Sequence, residues 1–161
     1  MMTQVLVQTE DFDVQALNQS LVQAHKGQVG ALLSFVGFVR DFSPTETTTT
    51  LELEHYPGMC EREIQQLCDT AQQRWDILDV KVVHRVGRLH REEQIVYVGV
   101  CSAHRGQAFL ACEYIIDALK TRAPFWKREI LEDGGHFWVQ QHEADAEKTA
   151  RWEDDSAPTN A

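Results

Sequence analysis

The run Lys120-Thr121-Arg122-Ala123-Pro124-Phe125-Trp126-Lys127-Arg128 holds four cations and no acid. Crowded ammonium and guanidinium groups depress one another's pKa, and partial burial does the same to a lysine. A lysine tuned in this way acts as acid, base or nucleophile near neutral pH. Pro124 forces a change from helix to strand. Lys120 at the helix end and Lys127 on the strand can therefore sit on either side of one corner, with Phe125 and Trp126 as low-dielectric walls. Cations also favour any helix C-terminus, which accounts for Lys120 and Arg122 but poorly for Lys127 and Arg128.

A second cluster, Ser102-Ala103-His104-Arg105, stands where a strand ends and a helix starts. Free N–H groups at a helix N-terminus, joined by His and Arg, suit an anion. Taken alone the signal is weak, since a His at a helix start is more often a local hydrogen-bonding residue. Arg40, after the apolar segment Val29 to Val39, is a third cation and alone an ordinary surface arginine. Other constellations fail: there is no GxGxxG, no Walker loop, no HExxH and no CxxC pair. No metal site is expected. His84 and His90 lack partners at ligand spacing, which favours structural or solvent roles. Glu52 and Glu54 alternate with leucines and read most simply as a solvated strand face. Cys101 near His104 imitates a Cys–His pair, but a cysteine in such a strand is more often a small buried apolar group.

The elements that must position these residues follow from pattern. Asp13 caps a helix whose Val14, Leu17, Leu21 and Val22 share a face, with Gly27 as its stop. Val29 to Val39 reads as a buried strand, Ser43 to Thr50 as a polar loop, and Leu51 to Tyr56 as a half-exposed strand. Met59 to Trp75 is an amphipathic helix. Leu78 to Val86 and Gln94 to Ser102 are β-branched runs, predicted as neighbouring antiparallel strands joined by a polar loop. A helix from Arg105 must end by Ala123. Phe125 to Leu131 and Phe137 to Gln141 flank Glu132-Asp133-Gly134-Gly135 as a hairpin. From Glu143 the chain is polar and acidic.

Strands and helices mix without regular βαβ alternation, so the class is α+β with largely antiparallel sheet. At 161 residues one domain is expected, set at residues 1–152 with a frayed polar tail over 153–161. Fifteen Lys and Arg against 25 Asp and Glu leave a net charge of −10, which argues against general nucleic-acid binding. The N-terminus has no signal-peptide pattern, and no apolar run is long enough to span a bilayer. A cytoplasmic setting with reduced cysteines follows, and no membrane partner is expected.

Glu54-His55-Tyr56-Pro57-Gly58-Met59, His84-Arg85-Val86-Gly87, Val98-Gly99-Val100, Ser102-Ala103-His104-Arg105 and the Lys120 to Glu129 run occur in the order seen in one family. Over roughly Val5 to Trp152 the sequence resembles the large, catalytic subunit of molybdopterin synthase. The Lys-Thr-Arg-Ala-Pro-Phe-Trp-Lys run is long and specific, and the shorter pieces add weight in register.

The resemblance implies an α/β hammerhead-type fold with additional antiparallel sheet, and a sulfurtransferase of molybdenum cofactor biosynthesis. It implies a small ubiquitin-like sulfur-carrier subunit that brings sulfur as a C-terminal thiocarboxylate. The acceptor is cyclic pyranopterin monophosphate, on which two transfers build the dithiolene of molybdopterin. A homodimer core flanked by two small subunits, a heterotetramer, is implied as well. Lys120 and Lys127 match the functional lysines. Phe38, Val39 and Arg40, the pair His104 and Arg105, and the stretch Lys127, Arg128 and Glu129 match substrate-binding positions. No cofactor is expected on this chain, since sulfur arrives on the partner. The competing class is a non-catalytic module whose basic corner captures a partner's C-terminal carboxylate. A cysteine-based sulfurtransferase, resting only on Cys101 near His104, is a weaker third reading.

Overall fold

The computed structural model describes residues 4–40, 48–131, 134–138, 143–150 and 152–153. A four-residue strand β1 (Val5–Gln8) leads to α1 (Val14–Ala24), where the Asp13 side chain accepts from the Ala16 N–H at 3.1 Å, as its residue type predicts. Then come β2 (Ala31–Phe38), β3 (Thr48–His55), α2 (Met59–Arg74), β4 (Asp79–Arg85), β5 (Gly87–Leu89) and β6 (Gln94–Ser102). The chain continues through α3 (Arg105–Arg122), β7 (Phe125–Leu131), β8 (His136–Trp138) and α4 (Glu143–Ala150).

Two four-stranded sheets result, ordered β1-β4-β6-β2 and β5-β3-β7-β8. The expected antiparallel pair β4–β6 forms, with Asp79 opposite Cys101 and His84 opposite Val96. β2 joins β6 with Ala31 opposite Ser102 and Phe38 opposite Gln94. One pair departs from the antiparallel pattern: β1 runs parallel to β4. The main core lies where α2 and α3 cover the first sheet, and Ile64, Leu67, Val80, Val98, Val100 and Ile115 are fully buried there. Each such side chain contributes about 1.5–3 kcal/mol of burial. A smaller core under α1 holds Leu21, Val83, Tyr97 and Cys101, and a third in the second sheet holds Val39, Leu51, Leu53 and Leu89.

The structure corrects the sequence reading at several elements. β1 and β5 are strands where none was predicted, and β5 occupies the start of the polar segment between the two β-branched runs. β3 begins at Thr48, inside the segment read as a Thr-rich loop. The described second arm of the hairpin is His136–Trp138 rather than Phe137 to Gln141, whose last residues lie outside the described residues. The polar segment from Glu143 forms α4, and tertiary contacts explain why. The Thr149 hydroxyl donates to the Asp117 carbonyl at 2.8 Å and bonds the Thr121 hydroxyl at 2.6 Å. Trp152 Nε1 donates to Asp117 Oδ2 at 2.7 Å, and the indole packs against Trp75 and Tyr114. Of the tail predicted as frayed, 153–161, Glu153 is in place with its N–H donating to the Ala150 carbonyl at 3.2 Å, and 154–161 lie outside the described residues.

Candidate functional site

α3 stops at Arg122 because Pro124 bars helical geometry from the residue before it, and Ala123 is extended at φ −76°, ψ 134°. Lys120 stands exposed on the last helical turn, and Phe125 starts β7 directly after the corner. The predicted arrangement, a lysine on each side of one turn, is present.

β7 then sorts the remaining residues by its two-residue period. It pairs antiparallel with β3, placing Phe125 opposite His55, Trp126 opposite Glu54, Lys127 opposite Leu53, Arg128 opposite Glu52 and Glu129 opposite Leu51. Phe125, Lys127 and Glu129 therefore share one face with His55 and the buried Leu51 and Leu53. Trp126 and Arg128 take the other face.

On the Lys127 face, the His84 ring from β4 stacks on Phe125 with centroids 3.9 Å apart and planes at 19°. Burial pushes the His84 imidazole down to about 4, helped by the nearby positive groups of His55 and Lys127, and against a hydrogen bond to the Arg85 carbonyl. His84 is thus neutral at pH 7. His55 in turn lies 3.8 Å from the Glu61 carboxylate at the start of α2.

On the opposite face, Arg128 donates to Glu52 and approaches Glu54 at 3.6 Å, while its guanidinium lies 5.4 Å over the Trp138 ring. Arg88 reaches the other Glu52 oxygen at 3.2 Å. The Arg128 hydrogen bond, then its charge, and the weaker share of Arg88 hold the Glu52 carboxyl below the usual carboxylate range. Glu52 is not the solvated strand residue that alternation suggested. It is largely covered and orients Arg128.

Arg40 and His104–Arg105 sit at opposite ends of the first sheet. Phe38, half exposed, lies opposite Gln94 at the start of β6, and Arg40 follows it on the surface. Val39 between them is buried, its backbone bonded to Glu93 and Glu92 at 2.9 Å each, so it anchors its neighbours rather than presenting a side chain. His104 and Arg105 are exposed just beyond the far end of β6, where His104 caps α3 without a side-chain bond to the first turn. The turn is held by Ser102 Oγ donating to the His104 carbonyl and by Gly30 N–H donating to the Ser102 carbonyl at 2.9 Å. α3 then packs back along β6 and β2. At a rise of 1.5 Å per residue, Arg105 and Lys120 are about 22 Å apart. Arg40, Lys120 and Lys127 thus belong to one end of the molecule, and His104 with Arg105 to the other.

Glu52, His55 and His84 join the site only through pairings between strands, which their local sequence does not show. Glu54-His55 and His84-Arg85 did stand out as motifs, but their partners lie on other strands.

Residues 7–122 match the model of a family described as MoaE protein. The chain belongs to the MoaE family. Among curated relatives, the molybdopterin synthase catalytic subunit of Vibrio cholerae is 47% identical over 92% of this chain and 97% of its own. That of Escherichia coli K12 is 45% identical over 80% of this chain and 85% of its own. Among solved structures, a molybdopterin biosynthesis MoaE protein from Burkholderia ambifaria matches with TM-score 0.79 and 44% identity, covering 95% of this chain and 99% of the other. Molybdopterin synthase from Staphylococcus aureus matches with TM-score 0.78 and 31% identity, over 87% and 99%. The MoaE family model spans Arg40, His104, Arg105 and Lys120, and it stops before Lys127. Among the described residues, no helix is long and apolar enough to cross a membrane.

Proposed function

We propose that this chain is the catalytic subunit of a molybdopterin synthase, moving sulfur from the C-terminal thiocarboxylate of a small ubiquitin-like subunit onto cyclic pyranopterin monophosphate. The observation that carries the reading is the corner at Pro124, with Lys120 on one side and Lys127 on the other, in a chain of the MoaE family. Both reactants are anions, and a site without cations would repel them. Arg40 at the same end suits a phosphate, since a guanidinium binds it through two parallel hydrogen bonds. Sulfur attack on the pterin side chain calls for proton transfer and for stabilisation of developing oxyanions, work assigned here to Lys120 and Lys127. Each C–S bond formed replaces a C–O bond of the pterin side chain, whose oxygen leaves on phosphate or, once protonated, as water. Hydrolysis of the resulting acyl thioester leaves the small subunit with a carboxylate, its new oxygen coming from water. In this reading the chain holds no cofactor of its own, and it works in the cytoplasm, where its four unpaired cysteines stay reduced.

The same reading includes a homodimer core. His104 and Arg105 lie too far from Lys120 for one small pterin to touch both within one copy. A second copy that brings its helix start to this corner closes the gap.

The test is a reconstituted assay with a thiocarboxylated small subunit and cyclic pyranopterin monophosphate, read as dithiolene-bearing pterin. Product should depend on this chain, and Lys120→Ala should lower turnover by about a hundredfold or more with the melting temperature unchanged. Unchanged turnover in the folded variant removes Lys120 from the mechanism. Complex formation with no product from the unsubstituted protein would instead favour a carboxylate-binding module.

A further inference from the structure

His84 belongs to the first sheet, yet its ring lies flat on Phe125 of the second, at the point where β7 leaves the corner. Its Nδ1 is 2.8 Å from the Arg85 carbonyl. A carbonyl only accepts, so Nδ1 carries the proton and Nε2 is left with its lone pair. Arg85 is held on both counts: its buried side chain bonds the Thr9 and Gln94 carbonyls at 3.2 and 3.0 Å, and the Val86 N–H next to its carbonyl donates to the Gln8 carbonyl at 2.8 Å. The titratable groups facing the ring are His55 from β3 and Lys127 from β7, with Glu61 of α2 behind His55. A histidine stacked on Phe125 and anchored to a rigid strand leaves β7 little freedom to slide or roll where it meets the first sheet. Phe125 and Lys127 are neighbours on one face of β7, so whatever fixes the first fixes the root of the second.

We infer that His84 is a positioning residue for sulfur transfer, its ring holding Phe125 and, through that strand, the point from which Lys127 projects. The inference rests on the proposed catalytic role of Lys127. A misplacement of about 1 Å at a reacting group costs as much as a hundredfold in rate, so loosening this stack reaches the chemistry without touching substrate.

The experiment measures kcat and KM for the pterin in the reconstituted complex, per folded protein from thermal melts, for His84→Ala, His84→Phe, Phe125→Leu and Lys127→Ala, and for the double variant His84→Ala/Lys127→Ala. His84→Ala should lower kcat by about tenfold or more with KM within twofold. His84→Phe, which restores a flat ring, should recover most of the loss. In the Lys127→Ala background His84→Ala should add little, because the group it positions is gone. Wild-type kcat in folded His84→Ala, or a loss that multiplies fully onto that of Lys127→Ala, overturns the inference. If His84→Ala does not fold, Phe125→Leu decides, measured alone and as the double variant Phe125→Leu/Lys127→Ala: a kcat loss absent from the Lys127→Ala background supports the inference, and wild-type kcat overturns it. Lys127→Ala with wild-type turnover would sink the catalytic reading of Lys127 itself, a result distinct from any failure at His84.

Discussion

The thiols of Cys60, Cys68, Cys101 and Cys112 are all buried, and loss of hydration is the main force pushing them up to about 12, 12, 11 and 12. A thiol reacts as its thiolate. At pH 8 a group of pKa 11, as for Cys101, is ionised in about one molecule in a thousand, against about one in ten for a pKa of 9. Cys101 therefore stands far from the state a sulfur-carrying cysteine needs, and His104 is exposed beyond the strand end rather than buried beside it. Treating the native protein with iodoacetamide at pH 8 should leave the four thiols unmodified over hours by mass spectrometry, and sulfur transfer unchanged. Rapid carboxymethylation of Cys101 with parallel loss of product would revive the cysteine mechanism.

Gly30 shows how one element sets the position of a distant cluster. A Cβ at this residue would lie 2.1 Å from the Ala103 carbonyl oxygen, a backbone atom with no rotamer to yield. Gly30→Ala must then push the turn that carries His104 and Arg105 away from β2, at a cost of about 1–3 kcal/mol in stability. If that turn binds the pterin, KM should rise several-fold while the melting temperature falls by a few degrees. A lowered melting temperature with unchanged KM would take His104 and Arg105 out of the binding site. The elements legible in the sequence were those with enough residues to show a period. α2 displays its apolar stripe, and the end of α3 is dictated by Pro124. β1 and β5, at four and three residues, are too short for periodicity to register. α4 is polar along its length and is held by Thr149 and the nearby Trp152, contacts that exist only once α3 is in place. The site was legible to the same extent. Lys120 and Lys127 were marked by local crowding, whereas the Glu52–Arg128 pair joins residues far apart in sequence, and the Leu-Glu alternation around Glu52 suits a solvated face equally well.

At the scale of the whole molecule, the cations of the proposed site stand on a chain of net charge −10. They lie toward the two ends of the first sheet, with Lys120 on the helix that covers it and Lys127 on the neighbouring second sheet. Arg40, Lys120 and Lys127 mark one end; His104 and Arg105 mark the other, about 22 Å away along α3. A pterin phosphate cannot bridge that distance, so both clusters serve one substrate only if two copies meet, the helix start of one against the corner of the other. A mixing experiment tests this. Arg105→Ala and Lys120→Ala should each be nearly inactive alone. When the two are co-expressed in equal amounts, half of the pairs are mixed. Each mixed pair has one site with both clusters intact and one with neither, so about a quarter of wild-type turnover should return. Native mass spectrometry on copies of different mass reports whether mixed pairs formed. With mixed pairs present and no recovery of turnover, the two clusters do not share a site across copies, and the dimeric site would have to be abandoned.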